Sequence, residues 1–174
     1  MEATESQLEE VKRVEKSTED LSKQYFRYRN DYKKYVLTFD VKFPAGKAQL
    51  SDMIAQNHKE MINKLSAAGK EIKAFLDKHD DNQYLLIIEG QASHDNYELN
   101  YELSYQRALS LMRFWIDDLK IQFGKNCEIL ISGSGDGQLD THSMRESNEA
   151  ENQRFLIHII PKNILEQNEN SKNL

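Results

Sequence analysis

A single cysteine, Cys127, leaves the chain without any intramolecular disulfide. At 174 residues it does not need one, because a chain of that size buries about two thirds of its surface on folding. Long apolar runs are missing too. Those around Leu85–Ile88 and Phe155–Ile160 fall far short of the roughly 20 residues of a membrane helix, so a soluble chain is expected. A signal peptide is also lacking, since residues 1–24 are rich in Glu and Lys and hold no apolar core or small-residue cleavage site. Two readings stay open: a cytoplasmic chain, or the soluble piece of a longer protein whose export segment lies before Met1. Basic side chains are outnumbered, 23 against 29, for a net charge of -6. That excludes a protein that coats nucleic acid, which needs a basic surface.

Catalytic and metal motifs are equally sparse. No GxxxxGK[ST] is present, and Gly133, Gly135 and Gly137 lack the lysine and following helix of a phosphate cradle, so they read as a flexible loop. There is no HExxH or paired CxxC, and His58, His79, His94, His142 and His158 are scattered. Asp140 and His142 share a loop without forming a pattern. Ser93, His94 and Asp95 are adjacent in sequence, whereas a nucleophile, base and orienter must converge through folding. No enzyme, metal or cofactor is expected.

What is there is one domain with a surplus. Residues 4–24 place Leu8, Val11, Val14, Thr18 and Leu21 at helical spacing among charges, which fits a surface helix or a coiled-coil stalk. Residues 25–34 mix aromatic and basic groups, and either pack their rings on the domain or stack on nucleic-acid bases. From Tyr35 to Phe43 apolar residues alternate, predicting a half-buried strand ended by Pro44 and Gly46. Residues 50–78 carry Ile54, Met61, Ile62, Leu65, Ala68, Ile72, Phe75 and Leu76 at spacings of three and four, a long helix with His58 as a packing residue on its apolar side. Tyr84–Glu89 reads as a buried strand. A second helix spans about Tyr97 to Phe123, with Tyr101, Ser104, Ala108, Leu111, Met112, Trp115 and Leu119 on its core stripe. Asn100, Leu103, Arg107 and Phe114 fall on a flank, which puts Arg107 at the edge of the core. Cys127–Ser132 and Arg154–Ile160 are two further strands, the latter ended by Pro161, with a long polar loop at 133–151 between them.

The predicted class is therefore α/β, of the two-layer α+β kind: an N-terminal helix followed by β-α-β-α-β-β, with right-handed crossovers and a last strand free to run antiparallel. Residues 1–34 form a connector helix and linker, 35–161 the domain, and 162–174 a polar tail expected to be disordered.

Within residues 87–108, a strand ends in Glu89-Gly90, a polar loop follows, and a helix opens with Asn100, Leu103, Ser104, Arg107 and Ala108 in an N-x-x-L-S-x-x-R-A pattern. Gly133 and Gly135 follow the third strand, and Glu151-Asn152-Gln153-Arg154-Phe155 enters the fourth. Together these resemble the OmpA C-terminal-like (OmpA/MotB) domain, with its EGHTD, NxxLSxxRA and ENRRV segments, over roughly Phe39 to Pro161. The resemblance implies a mixed four-stranded sheet with two helices on one face and the last strand antiparallel in the interior. It also implies a non-catalytic, peptidoglycan-binding site, in which an aspartate holds the ammonium of diaminopimelate and Arg107 holds the carboxylate. Such a zwitterion needs one anionic and one bidentate cationic partner. Ser93 stands where the family has that aspartate. Asp95 is the candidate substitute, with Asn100 and Ser104 supplying hydrogen bonds, and the alternative for Arg107 is a salt bridge to Asp95. The charged helix and aromatic linker before the first strand look like the connector of MotB-like stator subunits, a layout shared by anti-phage systems of the Zorya kind. The resemblance then implies a periplasmic domain of an inner-membrane protein. Its partners would be peptidoglycan, a second copy in a homodimer, and a membrane-embedded stator subunit reached through a segment upstream of Met1. The alternative is a dimerisation or assembly domain of the same fold that does not bind peptidoglycan.

Overall fold

The computed structural model describes residues 4–39, 41–53, 58–139 and 144–162. Asp40, Ile54, Asp140, His142 and the tail beyond Lys162 lie outside them. Five strands form one sheet: β1 (Phe26–Arg29), β2 (Lys34–Leu37), β3 (Tyr84–Gly90), β4 (Cys127–Gly133) and β5 (Phe155–Pro161), in the order β1-β2-β5-β3-β4. β3 and β4 are parallel, and β5 runs antiparallel between β2 and β3. The interior antiparallel last strand is as expected. Register follows from burial: Tyr84, Leu86 and Ile88 share a face with Ile157 and Ile159 of β5 and are covered by helices. On the other face Leu130 and Ile160 remain 45% and 43% exposed.

The helical layer holds α1 (Glu5–Ser17), α2 (His58–Lys78) and α3 (Asn100–Arg113). α1 starts at a capping box, in which Thr4 and Gln7 satisfy each other's orphan backbone N–H groups. α2 ends where Asn126 donates to the carbonyls of Leu76 and His79. α2 and α3 meet at Gly69, where an added Cβ would lie 2.6 Å from Trp115 Nε1, and the Trp115 indole donates to Leu65 O at 2.8 Å. His58 is the packing residue expected, its Nε2 3.0 Å from Leu50 O.

Four expectations about elements are corrected. The sheet has a strand beyond the expected four, because the Phe26–Arg29 segment pairs with β2 as a hairpin. Its turn passes through Lys33 at φ 57, a left-handed position without the Gly or Asn that marks such a turn in sequence. The aromatic residues here pack on the domain: Phe26 is buried and Tyr28 lies 4.9 Å from Tyr35. Second, the strand expected to reach Phe43 stops at Leu37. Val41 and Phe43 are buried without joining a ladder, so their alternation serves the packing of a loop. Third, the helix expected from Tyr97 to Phe123 ends as an α-helix at Arg113 and continues as one widened π-turn, Phe114–Asp118, beside the buried Trp115. The first helix likewise ends at Ser17, passing into a 3-10 turn at Thr18–Asp20. Fourth, the glycine segment after β4 is fastened. Ser134 N–H donates to Gly90 O at 3.1 Å, Ala92 N–H to Gly135 O at 2.8 Å, and the Arg145 guanidinium to Ala92 O at 2.8 Å.

Residues 5–29, read as connector, share the domain's core. Val14 and Leu21 are 1% and 3% exposed, Ser17 Oγ and the Tyr84 hydroxyl share a 2.7 Å hydrogen bond, and the Tyr35 hydroxyl donates to Thr18 O at 2.7 Å. Leu21→Ala is therefore expected to lower the unfolding free energy by about 2–4 kcal/mol, measured by urea denaturation. Leu8→Ala, at a side chain half exposed, should change it by no more than about 0.5 kcal/mol.

α3 rests on the strand ends through backbone. A Cβ on Gly90 would lie 1.9 Å from Ser104 O, and one on Gly133 2.6 Å from Tyr105 N. Gly90→Ala should cost about 3 kcal/mol or more in the same assay, since the obstacle is main chain that cannot rotate away. Gly46→Ala meets nothing within 4 Å and has only a φ of +68 to resist it, so it should cost about 1 kcal/mol.

Candidate ligand site

The site forms where β3 ends and α3 begins, and its centre is a buried cation. Arg107 is 1% exposed. Its Nε donates to Lys47 O at 3.1 Å, Nη1 to Gln91 O at 3.2 Å and Nη2 to Gln153 Oε1 at 3.3 Å. The guanidinium also sits over the Phe43 ring, 4.8 Å from its centroid. Arg107 thus lies inside the core and not at its edge, roofed by the segment that carries Phe43 and Lys47. Burial pushes its pKa down to about 10, against the pull of Asp95. It therefore stays charged at neutral pH, and the fold bears the cost of that buried charge at every pH below about 10. Among the described residues no carboxylate lies within salt-bridge distance of it. The pair with Asp95 considered from sequence is a longer-range attraction.

The other four predicted residues lie in the loop after β3 and on α3, in three separate contacts. Ser93 Oγ accepts from Gln153 Nε2 at 3.2 Å, so Gln153 bridges Ser93 to Arg107. Ser104 is fully buried, donates to Tyr101 O and accepts from Gly135 N–H, each at 2.8 Å. Its hydroxyl is committed to holding the glycine segment against α3. Asp95 is exposed and pairs with Asn100: its Oδ1 accepts from Asn100 Nδ2 at 2.9 Å and from Tyr97 N–H at 3.0 Å. The Asn100 hydrogen bond holds the Asp95 carboxyl below the usual range despite some desolvation. Asn100 itself is 3% exposed, and its Oδ1 is buried without a partner among the described residues.

Three contributors went unread in the sequence. Lys47 and Gln91 act through main-chain carbonyls, which no side-chain pattern reveals. Gln153 did leave a signal. It stands where the family pattern has an arginine, as Ser93 stands where it has an aspartate, and these two neutral replacements touch. The preceding Asn152 is fully buried and latches the loop, its Oδ1 accepting from Glu146 N–H at 2.7 Å and its Nδ2 donating to Glu146 O at 3.0 Å. Arg154 then ties Gln91 Oε1 at 2.8 Å to Glu146 at 3.2 Å.

An open cavity of about 390 Å³ is lined by Asp95 and Asn100 together with Tyr101, Asp136 and Leu139. This lies at the small end of the range for ligand pockets. Among the described residues no three His, Cys, Asp or Glu side chains come together to hold a metal ion, and no helix is long and apolar enough to cross a membrane.

From β2 onward the order is β-α-β-α-β-β, with β5 antiparallel in the interior and the motif helix seated on Gly90, which is the architecture that the resemblance to the OmpA-like domain implies. No protein-family model and no curated protein sequence matches the chain. Three solved structures similar to it are as follows. The peptidoglycan-associated lipoprotein of Burkholderia pseudomallei is 17% identical, with 68% of this chain and 87% of that chain covered and a TM-score of 0.42. The C-terminal domain of Helicobacter pylori MotB is 22% identical, with 76% and 93% covered and a TM-score of 0.46. An outer membrane protein of Borrelia burgdorferi B31 is 24% identical, with 78% and 95% covered and a TM-score of 0.45.

Arg107→Ala would strand three acceptor oxygens and open a void, for an expected loss of about 2–4 kcal/mol in urea unfolding. Arg107→Lys keeps the charge, yet a single ammonium cannot span three acceptors on three segments, so it should recover roughly half of that loss at most.

Proposed function

We propose that the chain is a non-catalytic peptidoglycan-binding domain that anchors a membrane complex to the cell wall. The observation that carries this reading is the Asp95–Asn100 pair, which lines a cavity, with a buried acceptor on Asn100 that lacks a partner among the described residues. A wall peptide presents an ammonium group that suits such a pair. Asp95 and Asn100 contact the ligand, while Arg107, Ser104 and Ser93 hold the loops that frame it. In this reading the domain lies in the periplasm as part of a MotB-like stator, of a motility or an anti-phage system, and works as a homodimer. We place the join to the membrane partner at α1.

Purified sacculi provide the test. The wild-type chain should co-sediment with them, and Asp95→Ala should reduce the bound fraction by about fivefold or more, since a charge-assisted contact is lost. A wild-type chain that stays in the supernatant, or an Asp95→Ala variant that pellets equally well, overturns the assignment. One feature favours a second reading, an assembly domain that does not bind the wall: every Arg107 nitrogen already donates to a protein oxygen. That reading expects a dimer by sedimentation velocity with no affinity for sacculi.

A further inference from the structure

The cavity at Asp95 differs in charge from a site made for a zwitterion. Among the described residues its wall carries three carboxylates, those of Asp95, Glu98 and Asp136, and neither lysine nor arginine. Asp136 is held in place, its Oδ1 accepting from Gln138 N–H at 3.2 Å and its Oδ2 lying 3.3 Å from His94 Nδ1. Asn100 adds the buried Oδ1 that lacks a partner among the described residues. Carboxylates and an amide oxygen are all acceptors, so the group they suit is a donor that carries positive charge.

The cation that would receive a ligand carboxylate is out of reach. Arg107 does not line this cavity, is 1% exposed, and has each of its three nitrogens donating to Lys47, Gln91 or Gln153. A carboxylate entering here would meet three like charges on the wall and would find the guanidinium buried away from the cavity. Both effects select against it.

Resting on the peptidoglycan reading above, we propose that the cavity between the first turn of α3 and the Asp136–Leu139 segment binds the terminal ammonium of a wall peptide and does not use the carboxylate next to it. A free side-chain amine is then the recognised element. Diaminopimelate, its amidated form and lysine all supply one, so this chain does not distinguish among them.

Isothermal titration of the full chain with four soluble stem peptides tests this. They are identical except at the third residue: diaminopimelate, diaminopimelate amidated on its side-chain carboxylate, lysine, and lysine acetylated on its side-chain nitrogen. The first three should bind within about threefold of one another, and acetylation should weaken binding by about tenfold or more, the scale of one charge-assisted contact. Asp136→Asn, checked for an unchanged melting temperature, should weaken the three amine-bearing peptides by a common factor. A loss of about tenfold on amidation or on replacement by lysine would overturn the proposal while leaving wall binding intact. Equal binding of the acetylated peptide would overturn it as well. If none of the four binds and the chain does not pellet with sacculi, wall binding fails along with it.

Discussion

The contact on which the site depends is between backbones. α3 approaches the ends of β3 and β4 so closely that Gly90 and Gly133 have no room for a single methyl group. This seating lets the Ser104 hydroxyl reach Gly135 N–H and lets Arg107 reach the carbonyl of Gln91, one residue beyond β3. With α3 held off by the width of a methyl group, both hydrogen bonds would exceed the distances at which they hold. The buried charge would then lose the acceptors that make its burial tolerable.

Around that seat, charge is distributed unevenly with depth. The interior holds the Arg107 guanidinium solvated by three oxygens of the protein, and the neighbouring cavity holds carboxylates. The neutral contact of Ser93 with Gln153 lies between them. Both of these side chains are uncharged. Two residues beyond Ser93, Asp95 is held in position by the N–H of Tyr97 and the amide of Asn100.

The central strands were legible in the sequence because they are buried on both faces or nearly so, and Tyr84–Glu89 and Arg154–Ile160 read as apolar runs without ambiguity. The core stripe of α3 was legible at Ser104, Ala108, Leu111 and Trp115, all buried. Arg107 was misplaced because a helical wheel knows only its own helix. The roof over this residue is the irregular Val41–Lys47 segment, whose alternation looked like a strand. β1 was missed because Phe26–Arg29 has a single buried residue, and the turn that joins it to β2 is carried by a lysine. Of the site, the motif residues Asn100, Ser104 and Arg107 were visible, as was the departure at Ser93. The acceptors that solvate Arg107 were not, since two are carbonyls brought in from distant parts of the chain.

The position of β5 has a consequence for how the molecule is made. It is the last of these five strands along the chain, yet it lies in the middle of the sheet, between β2 and β3. Until Phe155–Pro161 is available, the β1-β2 hairpin and the β3-β4 pair have no common strand to join them. The chain must therefore close its longest loops, from residue 35 to residue 157, in the step that completes the sheet. Contacts so far apart in sequence slow folding. They also leave the apolar sides of two half-sheets uncovered for as long as that step takes.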